Sequence, residues 1–395
     1  MISALLIDLD DTLLTNNMNR FLPVYLDRLG THLSTLAPAD QIASQVMAGS
    51  MAMIQNDDPT RTLQQVFAEH FFPHFGIKEK DIYPQVDEFY SEIFSDLQGL
   101  TSPRQGAGQL VRTAIEKGIE VVIATSPLFP FTAIKHRLAW AEVPTDQYAY
   151  SLITSYEDFH FAKPHLEYYA EILAHLGIPP HQAAMIGNDP TDDLIPAQSL
   201  GLAVFDVNHE SDSFPGGDLL EAAAWIDQAH QEVRQDAVSQ PEAILARLRA
   251  HLSALHTILP PLDERQWTQP AKKSEWAINQ ILCHLRDVEH EVYLPRMHSL
   301  LTEQNPHISA IETDRWAEER EYAQQSGEEA FDAFTQSRLQ LLEQLSSLTP
   351  DQWDRPARHS ILGPTTLAEI YKFATDHDLL HLAQIRSSLV SMQAN

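Results

Sequence analysis

The chain has 395 residues, 44% hydrophobic and 21% charged, which is ordinary globular usage and room for two or three domains of ~150 residues. With Gly 14 and Pro 24 it is neither collagen-like nor low-complexity, and the absence of an apolar run of 18 residues predicts no membrane span. Lys+Arg 26 against Asp+Glu 55 leaves a net charge of −29, which disfavours nucleic acid but leaves small anions open. The one cysteine, Cys283, excludes an internal disulfide and a thiolate metal cluster, so any metal must use His, Asp or Glu. That usage fits a cytoplasmic protein. Met1-Ile2-Ser3-Ala4 lacks the basic region of a signal peptide, and none is expected.

In chain order, residues 2–7 form an apolar run that predicts a buried strand ending in the acidic loop Asp8-Leu9-Asp10-Asp11-Thr12. Residues 18–100 have helical spacing and read as an inserted subdomain. Further strands are predicted at 119–124, 151–153, 183–187 and 202–205, with helices near 164–176 and 191–200. Strands alternating with helices predict a doubly wound α/β domain with a parallel sheet. Residues 208–217 read as a loop, 218–235 as a helix, and 236–240 as a linker. From 241 onward the pattern is helical, with four long segments at 241–259, 276–304, 327–347 and 366–392, which predicts an all-α four-helix bundle. A repeat supports it. Leu262, Gln266, Trp267, Pro270, Ala271 and Ser274 recur 86 residues later as Leu348, Gln352, Trp353, Pro356, Ala357 and Ser360.

Two constellations carry chemistry. Asp8 and Asp10 lie just beyond a buried strand, where parallel sheets place their sites. Two carboxylates at that spacing can divide nucleophilic attack from proton transfer. Asp189, Asp192 and Asp193 follow another strand, and oxygen ligands from two strand ends suit Mg²⁺. Asp192 and Asp193 have an alternative use as caps of the helix that follows. Thr125 and Ser126 can donate to phosphate oxygens, and Lys163 can neutralise developing charge. In the bundle, His377 and His381 share a helix face, and His284 lies on an apolar stripe of another helix. Three converging imidazoles can bind Zn²⁺, Ni²⁺ or Fe²⁺ with positions left open. A buried histidine can equally be a hydrogen-bonded core residue.

Four stretches, Leu5 to Leu13, Val121 to Thr125, Lys163-Pro164 and Met185 to Asp193, resemble in order the four motifs of the haloacid dehalogenase superfamily of phosphohydrolases. The resemblance covers about 1–230. It implies a domain over 1–235 with a helical cap at about 16–100. It implies Asp8 as the nucleophile that forms an aspartyl-phosphate and Asp10 as general acid and base. Thr12, Thr125 and Ser126 would hold phosphate and Lys163 would stabilise charge, with Mg²⁺ held by Asp8, Asp10, Asp189 and Asp193. An acid at position 10 favours a phosphatase over a dehalogenase, acting on a small phosphorylated metabolite. Asn188 departs from the Asp found there in many members, which puts the Mg²⁺ site in question.

Residues of about 241–392 resemble the DinB-like metal-binding four-helix bundles, which implies a bundle domain over 241–395. The resemblance rests on Trp276 to Leu285 with Glu289 and Arg296, on Gly363 with Thr365-Thr366-Leu367, and on His377-Asp378 with His381 to Gln384. It implies His284, His377 and His381 as ligands of a divalent transition metal. It leaves three uses open: transferase chemistry on a low-molecular-weight thiol, non-catalytic binding, or homodimerisation through the bundle.

Overall fold

The computed structural model describes residues 1–209, 213–272 and 274–393. Residues 210–212 of the expected loop at 208–217 lie outside the described residues. Two compact units emerge: Met1–Ile172 with Pro180–Gln235, and Leu173–Pro179 with Asp236–Asn395. Among the described residues no helix is long and apolar enough to cross a membrane.

The first unit is α/β. Strand β1 (Ala4–Ile7) is followed by a short antiparallel ribbon of β2 (Leu14–Thr15) and β3 (Ser102–Pro103). Then come β4 (Glu120–Ile123), β5 (Leu152–Ile153), β6 (Ala183–Gly187) and β7 (Ala203–Asp206). The parallel sheet runs β5-β4-β1-β6-β7. β1 is central and buried at all four residues, hence its unbroken apolar run. Register decides what lies at the sheet's carboxyl edge. Ile7 pairs with both Ile123 and Ile186, so the chain leaves β1, β4 and β6 at one level. Asp8, Thr125 and Asn188 follow from there.

The ribbon brackets the expected cap, which contains helices at Met18–His32, Ala39–Ile54, Leu63–Phe75 and Glu79–Glu88. The helix expected over 218–235 is shorter. It starts on an Asp218–Glu221 capping box and holds only for Leu219–Trp225. Tighter i to i−3 turns follow, with Gln228 N–H donating to Trp225 and Gln231 N–H to Gln228.

The second unit is the four-helix bundle expected from the periodicity. Its long helices are Pro241–Ile258, Ile278–Val288 continuing through a π-turn at Glu289–Tyr293 into Leu294–Thr302, Gly327–Ser346, and Leu367–Gln393. The widened turn comes just before Pro295, which has no N–H to give the ladder. The repeat has a structural counterpart. Asp263 with Gln266, and Thr349 with Gln352, each build a capping box before a short helix carrying Trp267 or Trp353. The Trp267 ring lies where a Cβ on Gly327 would sit (2.5 Å), so glycine permits that approach. After the second copy the chain diverges into a small sheet, β10-β9-β8, made of Gly363–Thr366, Pro356–His359 and His307–Ile308.

Candidate active site and candidate metal centre

At the carboxyl edge of the sheet, Asp8 is 6% exposed and Lys163 is 5% exposed. Lys163 Nζ donates to Asp8 Oδ1 at 2.7 Å and to Asp193 Oδ1 at 2.6 Å. Asp193 Oδ2 accepts from the backbone N–H of Asn188 (3.0 Å) and Asp189 (3.1 Å). Its carboxylate lies over Gly187, in the space a side chain there would fill. One cation thus bridges two buried carboxylates. Burial pushes the Asp8 carboxyl up to about 7, against the opposing pull of Lys163. Burial alone would lower Lys163, but Asp193 and Asp8 outweigh it and hold the ammonium well above its ordinary value.

Asp10 is held separately. Its Oδ1 accepts from Asn16 Nδ2 at 2.8 Å, and its Oδ2 accepts from Arg137 Nη1. Arg137 is 1% exposed and lies over the Phe129 ring, 4.6 Å from its centroid. Neither Asn16 nor Arg137 is among the residues singled out from sequence. Arg137 had a signal: it continues the apolar stripe of Ala133, Ile134, Leu138 and Ala141, where an unpaired cation is costly. Asn16 had none.

The carboxylates expected to hold Mg²⁺ do not assemble. Among the described residues, Asp8, Asp10, Asp189 and Asp193 form no group with converging ligand atoms. Both oxygens of Asp193 are engaged by Lys163 and backbone N–H groups. Asp189, and neither Asp192 nor Asp193, is the cap: its Oδ1 accepts from Thr191 N–H (2.7 Å) and Asp192 N–H (3.0 Å).

Asn188 instead reaches the acidic loop after β1. With its amide nitrogen turned inward it donates to Asp8 Oδ2 (3.3 Å), Thr12 Oγ1 (3.0 Å) and the Asp10 carbonyl (3.0 Å). With Oδ1 inward, the same place gathers oxygens from Asp8, Asp10 and Asn188, a donor set suited to a hard cation. Thr12 is fully buried at that point. Thr125 is 2% exposed, and its carbonyl is fixed by the Thr154 hydroxyl (2.6 Å) and the Tyr168 hydroxyl (2.8 Å). Ser126 is half-buried on the loop beyond.

In the bundle, the three expected histidines do converge. Their ligand atoms lie within 4.8 Å of one another. His377 Nε2 is 3.1 Å from His284 Nε2 and 3.2 Å from His381 Nε2. His381 Nδ1 meets Gln384 Oε1 at 2.8 Å, which sets that ring with Nδ1 as donor and leaves Nε2 a bare lone pair. Burial, then His381 and His377, pushes His284 down to about 3. Burial, then His377, pushes His381 down to about 4. Both are therefore neutral imidazoles near neutral pH, the form that binds a metal. The triad opens into a pocket of about 510 Å³ lined by Glu275, Trp276, Thr313, Ser387 and Ser388.

Behind the triad lies a buried ionic network. Arg338 pairs with Glu289 (2.6 Å) and Asp378 (2.8 Å), and Asp378 reaches His251 (3.5 Å). Cys283 is buried, and its thiol is pushed up to about 11 by burial, which suits a core residue and not a nucleophile.

Residues 2–201 match the model of the haloacid dehalogenase-like hydrolases, and residues 246–385 match that of the DinB superfamily. A protein of Halalkalibacterium halodurans provisionally named a metal-dependent hydrolase is 28% identical over 143 residues, 33% of this chain and 78% of that protein. Among solved structures, YfiT from Bacillus subtilis is described as a probable metal-dependent hydrolase with an unusual four-helix bundle topology. It is 21% identical over 39% of this chain and 88% of that one, with a TM-score of 0.36. A HAD phosphatase from Thermococcus onnurineus is 18% identical over 57% of this chain and 98% of that one, with a TM-score of 0.38.

Proposed function

Because the chain belongs to the haloacid dehalogenase-like hydrolases, we propose that its first unit hydrolyses a small phosphate monoester through an aspartyl-phosphate on Asp8. The observation that carries this reading is the buried Lys163 joined to Asp8 at 2.7 Å beside an Asp10 held on its own clamp. An Asp8 carboxylate oxygen attacks phosphorus, and the bond from phosphorus to the leaving oxygen breaks. Asp10 delivers its proton to that oxygen. Asp10 then takes a proton from water, whose oxygen attacks the phosphorus of the acyl phosphate and releases phosphate and free Asp8. Lys163 offsets charge on the phosphoryl oxygens, Thr125 and Ser126 lie where they can donate to them, and Thr12 steadies Asn188. Mg²⁺ would be held by Asp8, the Asp10 carbonyl and Asn188 Oδ1, where it supplies a positive centre for the phosphoryl group.

The test is Mg²⁺-dependent release of phosphate from an aryl phosphate and a panel of metabolite phosphates. Asp8→Asn is expected to lose about 10⁴-fold or more in kcat. Turnover that survives the substitution would rule out the phosphoenzyme.

A second reading concerns the bundle, on a separate observation: three imidazole Nε2 atoms, 3.1 and 3.2 Å apart, face a pocket. They are suited to a divalent transition metal (Zn²⁺, Ni²⁺ or Fe²⁺) with positions left for water or a small thiol. Purified protein should carry about one such ion per chain. A bundle that takes up no metal would leave it as a non-catalytic or dimerising module.

A further inference from the structure

The cap helices enclose a second cavity, of about 200 Å³, that the roles above do not use. Its walls are aromatic and aliphatic, with Tyr25, Phe67, Tyr90, Phe129 and Tyr156 prominent. Among the described residues no Lys, Arg or His lines it, and its one charged wall residue is the carboxylate Glu79. The tyrosine hydroxyls are tied to neighbours: Tyr25 to Tyr90 at 2.7 Å, Tyr83 to Gln64, and Tyr156 to Tyr83. Burial pushes Tyr25 up to about 12 and Tyr90 well above its ordinary value, so these groups stay uncharged.

Two wall residues connect the cavity to the reaction centre. Met18 Sδ lies 3.7 Å from Asn16 Nδ2, and Phe129 lies under Arg137. Asn16 and Arg137 are the two clamps of Asp10. The residue that would protonate the leaving oxygen is therefore one contact away from the cavity on two sides.

We propose that this cavity receives the leaving group and that the substrate is a phosphate monoester with an uncharged, largely apolar body such as an arylalkyl chain. The inference rests on the phosphohydrolase reading above. A second phosphate or a carboxylate would meet no cation in the cavity and would face Glu79, and its desolvation would go uncompensated. An apolar body gains from every methylene it buries there, and a few hydroxyl contacts remain for orientation. Nucleoside diphosphates and phosphorylated carboxylic acids are thereby disfavoured.

Ethyl, butyl and 3-phenylpropyl phosphate have alkanol leaving groups of similar acidity, so their kcat/KM values compare body recognition. We expect 3-phenylpropyl phosphate to exceed ethyl phosphate by about 100-fold and 2-phosphoglycolate to be the poorest. Filling the cavity with Ser50→Phe, or with Ala68→Leu should the first variant misfold, should reduce that ratio by about tenfold. A ratio near one in the wild type, a ratio unmoved by a folded variant, or a preference for 2-phosphoglycolate overturns the proposal. Calorimetric titration of 3-phenylpropanol into Asp8→Asn protein separates the two failures. If no ester is hydrolysed but the alcohol binds, and Ser50→Phe abolishes that binding, the apolar ligand class stands and the phosphohydrolase reading falls. Absence of binding overturns the cavity's role.

Discussion

The two candidate sites solve opposite electrostatic problems. At the sheet edge, charged side chains are set against partners of opposite sign: Lys163 sits between the buried Asp8 and Asp193, and Arg137 sits on Asp10. In the bundle, burial and the neighbouring imidazoles keep His284 and His381 neutral, and the ionic groups lie one layer back in Arg338, Glu289 and Asp378. Pairing suits a site that must receive an anion, because the ammonium is already desolvated and aimed. Neutral lone pairs suit a site that must receive a cation, because nothing has to be deprotonated or displaced.

That contrast can be broken by substitution. The largest expected effect is loss of the bundle metal. His381→Ala removes one of three nitrogens and should lower metal affinity more than about 100-fold while phosphate ester hydrolysis is kept. Metal analysis alongside phosphate release reads both, and coupled loss would mean that the sites are not independent. Next is Arg137→Met, which removes a buried guanidinium and strips one clamp from the half-buried Asp10 carboxylate. It should destabilise the first unit by about 3 kcal/mol and lower kcat by about tenfold or more with a smaller change in KM. Partial recovery of kcat in Arg137→Lys would mark positioning of Asp10, whereas a change in melting temperature alone would mark a purely structural pair.

Gln384→Ala should have a smaller effect, about tenfold in metal affinity, because it frees the His381 ring without removing a ligand. Equilibrium competition with a chelator measures it. The smallest expected effect is on acid stability. Although burial opposes it, Arg286, Tyr322 and Arg320 hold the Asp287 carboxyl below its ordinary 3.8. A lowered folded value stabilises above the unfolded one, and that contribution is lost as pH falls through the lowered value. Asp287→Asn should therefore cost about 1–3 kcal/mol near neutral pH and flatten the acid limb of a pH–stability curve below about 4.

Much of this was legible in the chain itself. The apolar run before Asp8, the strand ends before Thr125 and Asn188, and the four helical periods are local patterns, and the elements follow them. The capping boxes at Asp263 and Thr349 explain why the repeat carries Gln266 and Gln352: each glutamine closes its own turn within three residues. The histidine triad was legible because His377 and His381 lie one helical turn apart and His284 sits on an inward stripe. The short end of the 218–235 helix was not, because tight turns and helix share the same composition there.

The sequence by itself determined the order of elements, the acidic loop after the first strand and the faces that carry the imidazoles, since each rests on residues within a few positions of one another. Only the tertiary structure decided which groups share a charge. Parallel register brings Asn188 to Asp8, and the packing of a loop and a helix on the sheet brings Lys163 to Asp193 and Arg137 to an Asp10 that lies 127 residues earlier. It also moved Asp189 from expected ligand to cap. The reason is physical: backbone periodicity acts through neighbouring peptide groups, whereas a buried charge is stable only where folding supplies its partner, and that partner can come from anywhere in the chain.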